Sequence, residues 1–363
     1  KLLVVGEDSA YCQPCLSPVW DTALSALALQ GEGRAASRAA SQRGLDWLRP
    51  LQIRADYGDW RARRPHLHGG GWAFQYGNGH YPDLDDTAVV VWALHEGRRT
   101  AGQPPGTGQR HAAGPAGQDT DAAIESALDW LAGMQSRNGG FASFDVDNTY
   151  YYLNEIPFAD HGALLDPPTA DVTARVVTVL ARLRRPRDRT ALARALSYLR
   201  AEQEPDGSWF GRWGTNYIYG TWSALCALNA AGVEPSAPEV QRAADYLLGR
   251  QNPDGGWGED CASYWPEQRY AGKASTPSQT AWALLGLMAA GAVEREEVRR
   301  GIDFLLRHAE GGERWKEDWY TAVGFPRVFY LRYHGYAHYF PLWALARYRN
   351  LLRGNDRRTA YGL

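Results

Sequence analysis

Apolar residues recur at helical spacing along most of the chain, with polar positions between them and Gly or Pro at many of the ends. The clearest runs are Ala/Leu-rich: SPVWDTALSALALQ (17–30), DDTAVVVWAL (85–94), ADVTARVVTVLARL (170–183), GTWSALCALNAAG (220–232) and SQTAWALLGLMAAG (278–291). Between them a second form repeats: a helical stretch, then Gln, then a Gly-containing turn, then an aromatic. It reads LDWLAGMQSRNGGF (128–141), LSYLRAEQEPDGSW (196–209) and ADYLLGRQNPDGGW (244–257). IDFLLRHAEGGERW (302–315) puts His308 in the Gln position, and GLDWLRPLQ (44–52) is a degraded fifth copy. In this motif Gln either caps the helix before it or bridges to the next one. Gly permits a turn with positive φ, and the ring stacks on neighbouring groups. No segment shows strong period-two alternation, so the prediction is all-α. Paired helices whose inner members carry small residues predict a closed double ring, an open superhelix being the competing architecture. The Gly/Pro-rich stretch 97–120 reads as a mobile surface loop inserted into one domain.

YPDLDDTAVVVWAL (81–94) sets Asp83, Asp85 and Asp86 at the start of an apolar helix. Asp caps helix N-termini well and suits the positive end of the dipole. Crowded carboxylates beside apolar residues also have a second reading, in which one of them keeps its proton.

Composition narrows the choice. Lys plus Arg number 39 and Asp plus Glu 41, a balance that gives no sign of a nucleic-acid partner. The 15 Trp, 20 Tyr and 9 Phe exceed what an ordinary core needs and point to an aromatic-lined cavity. No apolar run reaches the roughly 18 residues of a membrane span, and no signal peptide is evident. The first residue is Lys1 and Met occurs only at 134 and 288, which suggests a start inside a longer reading frame. Cys12 and Cys15 form a CxxC, but Cys226 and Cys261 stand apart, so the cysteines read as reduced thiols of a cytoplasmic protein.

The Gln…Gly…aromatic repeats taken with DLDDTA resemble the squalene–hopene cyclases, the class II triterpene cyclases of bacteria. SPVWDT (17–22), GGWAFQY (70–76), FDVDNT (144–149), IPFADHG (156–162), DPPTADVTAR (166–175), WFGRWGTNYIYGT (209–221), GGWGEDC (255–261), STPSQTAWALLGL (275–287) and GFPRVFYLRYHGYAHYFPLWALARY (324–348) follow in family order. The resemblance implies an (α/α)6 barrel and a reaction that protonates the terminal alkene of squalene, then closes rings through carbocations to hopene or hopanol. It makes Asp85 the proton donor, flanked by Asp83 and Asp86. Tyr219 would hold water for reprotonation. Trp20, Phe74, Phe144, Trp213, Phe325, Phe329, Tyr333 and Tyr336 would line the cavity and stabilise cations, each ring worth roughly 0.5–2 kcal/mol. Phe325 and Phe329, four apart, also fit a plain helix stripe.

Three departures stand out. Arg175 replaces the His that partners the acid in well-known members; a permanent cation strengthens the acid but lowers its resting protonation. Asp171, one helical turn before Arg175, is placed to pair with it and moderate that effect. His161 is a further candidate partner, and Ala159 stands where the family carries a Cys near the substrate channel. The resemblance covers only the C-terminal acid-bearing barrel, so the companion N-terminal barrel would be missing and the cavity would lack one wall. Implied partners are squalene or another polyprenyl substrate and, for the full-length enzyme, the inner membrane face from the cytoplasmic side. A homodimer is compatible with this reading. No cofactor or metal is implied, and FDVDNT lacks a calcium loop around its acids. Competing readings are a class II cyclase for a shorter prenyl diphosphate, with RARRPHLH (61–68) as the basic cluster, and a non-catalytic helical scaffold or inert truncated product.

Overall fold

The computed structural model describes residues 3–6, 9–100, 120–157 and 164–354. Among these, eleven α-helices follow in order: α1 (Pro18–Glu32), α2 (Ala35–Leu48), α3 (Leu84–Thr100), α4 (Thr120–Gly133), α5 (Ala170–Leu183), α6 (Arg189–Ala201), α7 (Tyr217–Ala230), α8 (Pro238–Gly249), α9 (Pro277–Ala289), α10 (Glu296–Arg307) and α11 (Tyr336–Arg353). The odd-numbered helices pack each against the next, and α11 returns to α1, closing an inner ring of six. The even-numbered ones lie outside, against the inner helices beside them. The closed double ring is therefore the architecture present, with five outer helices among the described residues. Two inner helices are buried nearly all round: every residue of α9 is buried, as are all those of α7 except Asn229. Small side chains let such helices approach closely, as at Gly286, where a Cβ would press on the Trp222 backbone of α7 at 3.2 Å.

The repeated motif is the clamp that joins the rings. Its Gln amide donates to the Gly carbonyl of its own turn and to a carbonyl in the first turn of the next outer helix. Gln135 reaches Gly139 and Ala191, Gln203 reaches Gly207 and Glu239, and Gln251 reaches Gly255 and Glu297, all at 2.7–2.9 Å. Gln52 does the same to Gly70 and Ala123, so the degraded copy completes itself with Trp72 after an insertion. Of the two roles open to Gln, bridging is the one observed. Its target carbonyls lie in helical first turns. The Trp does more than stack: the indoles of Trp72, Trp209, Trp257 and Trp315 donate to Leu48, Leu199, Leu247 and Leu305 of the preceding outer helix. The backbone N–H of Trp72, Phe141, Trp209 and Trp257 donates to a Thr hydroxyl on an inner helix: Thr87, Thr173, Thr221 and Thr280. In the fourth copy His308 bonds back to Phe304. No outer helix follows α10 among the described residues, so a bridging Gln has no target there.

Three expectations need correction. Short antiparallel hairpins are present where no strand was predicted: β1 (Leu3–Val5) with β2 (Ala10–Cys12), β3 (Ala309–Glu310) with β4 (Arg314–Trp315), and β5 (Ala322–Phe325) with β6 (Phe329–Leu331). Strands of two to four residues are too short to show alternation. Phe325 and Phe329 accordingly form a cross-strand pair, not a helix stripe, because Pro326 bars the helical conformation at the residue before it and Arg327 turns with φ 69°. Residues 97–100, assigned to a loop, continue α3, and Thr120, the last of that stretch, begins α4; 101–119 lie outside the described residues, as do Ala159 and His161.

Candidate active site

The N-terminus of α3 opens into a cavity of about 220 Å³. Asp83 caps the helix: one oxygen accepts the N–H of Asp85 at 2.7 Å and of Asp86 at 3.2 Å, and its carbonyl takes the N–H of Thr87. That cap directs the next two carboxyls inward. All three Asp are buried, and Oδ1 of Asp85 and of Asp86 accept no hydrogen bond. Burial pushes Asp85 up to about 7; Arg175 opposes this and Asp171 adds to it. Asp83 and Asp86 are raised well above the carboxylate range by burial first, then by neighbouring carboxyls. Burial thus favours the protonated form of each of the three carboxyls.

Arg175, fully buried on α5, sets its Nε 3.7 Å from Asp85 Oδ1, beyond hydrogen-bond reach. Its Nη1 donates to Ser223 at 2.6 Å and Nη2 to the Tyr219 hydroxyl at 2.9 Å, while the guanidinium lies over the Trp222 ring at 4.6 Å. The predicted Asp171–Arg175 pair does not form. One Asp171 oxygen takes the Thr169 hydroxyl and the Val172 N–H; the other takes the N–H groups of Arg212 and Trp213. The loop before α7 supplies those two donors in bonding geometry, and Asp171 acts on Asp85 only through its charge.

The structure brings all eight predicted rings to this one cavity, with Tyr219 and the three Asp; Arg175 and Asp171 stand behind the lining. The Trp20 indole donates to the Tyr336 hydroxyl, and Phe74, Tyr333 and Tyr336 follow in ring contacts at 5.3–5.9 Å. On the facing side Phe144 meets Trp213 edge-on, and Phe325 packs on Phe329. Inspection of the sequence missed the residues that fix these walls. Asp166, pushed up to about 6 by burial, accepts the N–H groups of Ser143, Phe144 and Asp145, and the Ser143 hydroxyl holds the Trp213 indole. Cys15 also lines the cavity. The basic run 61–68 is engaged elsewhere: Arg61 and Arg64 donate to backbone carbonyls of Asp56, Pro65, Gly133 and Gln135. None of its residues lines this cavity.

Comparison with known proteins identifies the family. Residues 16–350 match the family described as squalene-hopene cyclase C-terminal domain. The chain belongs to the squalene–hopene cyclase family. It is 56% identical over 98% of its length to a probable squalene–hopene cyclase of Sinorhizobium fredii, and 54% identical over its whole length to the squalene–hopene cyclase of Bradyrhizobium diazoefficiens. The match takes up 53% of each, so the chain spans about half the length of the curated relatives it matches. Among solved structures, the type II terpene cyclase MstE from Scytonema superposes with TM-score 0.59 over 95% of this chain and 89% of that one, at 19% identity, a likeness of fold. Among the described residues no helix is long and apolar enough to cross a membrane, and no three His, Cys, Asp or Glu gather as metal ligands.

Proposed function

We propose that this chain is the acid-bearing half of a squalene–hopene cyclase, with Asp85 as the proton donor. The observation that carries the reading is a buried carboxyl, raised to about 7 and free of hydrogen bonds at Oδ1, at the mouth of an aromatic cavity. An alkene is a very weak base, so the acid must be desolvated and loaded before substrate arrives. Proton transfer from Asp85 forms a C–H bond at the terminal alkene and leaves a tertiary cation among the rings. The new carboxylate is left beside the permanent charge of Arg175. Ring closures then move the cation along the aromatic walls, where quadrupole attraction stabilises it without a nucleophile. Loss of a proton at the last centre gives hopene, and capture of water gives hopanol.

A cavity of about 220 Å³ is below the roughly 300–1,000 Å³ of pockets that enclose a ligand. The reading therefore includes a companion N-terminal half that completes the wall, and a membrane surface on the cytoplasmic side that delivers the polyprenyl substrate. The test is product chromatography with squalene and with farnesyl diphosphate, using the chain alone and joined to the remaining half of the Sinorhizobium fredii relative. Pentacyclic product from squalene in the joined protein, lost in Asp85→Asn with the circular dichroism unchanged, is the expected result. Cyclisation at the parental rate in Asp85→Asn removes Asp85 from the role of acid. Turnover of farnesyl diphosphate alone favours the shorter-substrate cyclase.

A further inference from the structure

The arginine behind the acid raises a physical difficulty. A buried guanidinium next to a buried carboxylic acid should form a direct charge-assisted pair and pull the proton off. Here it does not: Nε of Arg175 and Oδ1 of Asp85 face each other at 3.7 Å, both without a hydrogen bond. What restrains the guanidinium is one face of α7. Tyr219, Trp222 and Ser223 stand at i, i+3 and i+4, and each contacts it: the Tyr219 hydroxyl and Ser223 Oγ as acceptors, the Trp222 ring as a flat support.

Ser223 is the decisive member. Its hydroxyl proton is committed to the Tyr219 carbonyl at 2.8 Å, so toward Arg175 the oxygen acts only as an acceptor, at 2.6 Å. Ser223 is fully buried, and its hydroxyl, like that of Thr221 on the same helix, is engaged in hydrogen bonds within the core.

We propose that Ser223 is a positioning residue that, together with Tyr219, holds the Arg175 guanidinium off Asp85 and thereby keeps the acid loaded. The inference rests on the reading of Asp85 as the proton donor. The other groups that act on Asp85 do not perform this task. Asp83 before α3, Asp86 on α3 and Asp171 on α5 are carboxyls, and Tyr219 on α7 and Tyr336 on α11 are phenols. Asp21 on α1 and Asp166 act one step removed, through Asp86 and Asp83. Without Ser223 the Nη1 donor is stranded in the core, and turning the guanidinium toward the unfilled Asp85 oxygen is the available remedy. Arginine in this position then works as an acid-strengthening cation that acts mainly after the proton has left.

The test reads the protonated carboxyl of Asp85 directly, by its infrared C=O stretch against pH in the full chain, assigned by its loss in Asp85→Asn. Ser223→Ala needs no added space and keeps a good helix former. It is expected to lower the Asp85 midpoint by about one unit or more, with near-ultraviolet circular dichroism unchanged. Arg175→Gln is expected to raise the midpoint, and adding Ser223→Ala to it should then move it by less than about 0.3 unit. An unchanged or raised midpoint in Ser223→Ala overturns the proposal. So does an equal downward shift in the Arg175→Gln background, since Ser223 would then act without the arginine. A parent chain whose Asp85 shows no protonated band above about pH 5 fails differently: it removes the loaded acid itself, and the proposal with it.

Discussion

Replacing Asp85 with Asn should make the chain more stable at alkaline pH and much less so in mild acid. The sign follows from linkage. Asp85 has a folded-state value of about 7 against an ordinary 3.8, so the folded state binds the proton more tightly than the unfolded one. Its contribution is intact below about pH 4 and is lost as pH rises toward 7, because ionising the buried carboxyl opposes folding. Between pH 5 and pH 8 the loss from this one group is about 2–3 kcal/mol, at 1.36 kcal/mol per unit. Asn has no proton to lose and escapes the penalty. With about 2.1 cal/mol/K per residue of unfolding entropy, that difference is about 3 °C of melting temperature for a chain of this length. Asp83 and Asp86 keep their own dependence, but relieved of the Asp85 charge they titrate lower, which adds to the effect with the same sign. The assay is thermal unfolding followed by circular dichroism for parent and Asp85→Asn at pH 5 and pH 8, and it needs no substrate. The gain from Asn should be larger at pH 8 by about 3 °C. An equal gain at both values, or a larger one at pH 5, would refute the claim that Asp85 is held protonated by burial.

Gln203→Ala should lower the melting temperature without affecting the acid cluster, since it deletes the bridge from the α6 turn to Glu239 of α8. Two lost bonds of roughly 1 kcal/mol each predict a drop of about 2–3 °C, and a variant as stable as the parent would show that the clamp carries no energy. Gly324→Ala in the joined protein should redirect products toward partly cyclised hydrocarbons, because a Cβ there runs into the Phe329 ring and displaces it from the cavity wall. Phe329→Ala should do the same by removing a cation-stabilising face worth roughly 1–2 kcal/mol. Gas chromatography of the products decides both, and an unchanged spectrum in either variant counts against that wall position.

Much of the fold was legible because it is periodic. Helices of twelve or more residues carry their period on the page, and four Gln at matching offsets mark the joints between outer helices. What each joint bonds to was not legible. Whether Gln203 caps its own helix or reaches Glu239 depends on a carbonyl 36 residues away. The short hairpins escaped for the opposite reason, since β5 and β6 are set by Pro326, Arg327 and the contact of Gly324 with Phe329 and not by a pattern. Asp171 shows the limit of helical spacing as an argument. At i, i+4 it could reach Arg175, yet the N–H groups of Arg212 and Trp213 take its oxygen. The rings that gather at the cavity were found by resemblance, and Ser223 and Asp166 passed unnoticed. A Ser four residues after Tyr219 in an apolar helix was the available signal for the first. For Asp166 the three N–H groups it holds belong to a loop whose path no spacing reveals.

The three crowded carboxylates of DLDDTA turn out to divide two tasks that look like rival explanations. A helix N-terminus presents unsatisfied N–H groups and a positive field, which would favour ionising any carboxyl nearby. Had Asp85 accepted those donors, its proton would be lost at neutral pH. Asp83 takes them instead, receiving the N–H groups of both Asp85 and Asp86. The cap thus removes from Asp85 the interaction that would most stabilise its anion, and desolvation is left to dominate. The same logic recurs on the other side, where Ser223 and Tyr219 take the donors of Arg175. On the proposed reading, each group that would otherwise deprotonate Asp85 is occupied elsewhere, and its Oδ1 faces Arg175 with its bonding capacity unused.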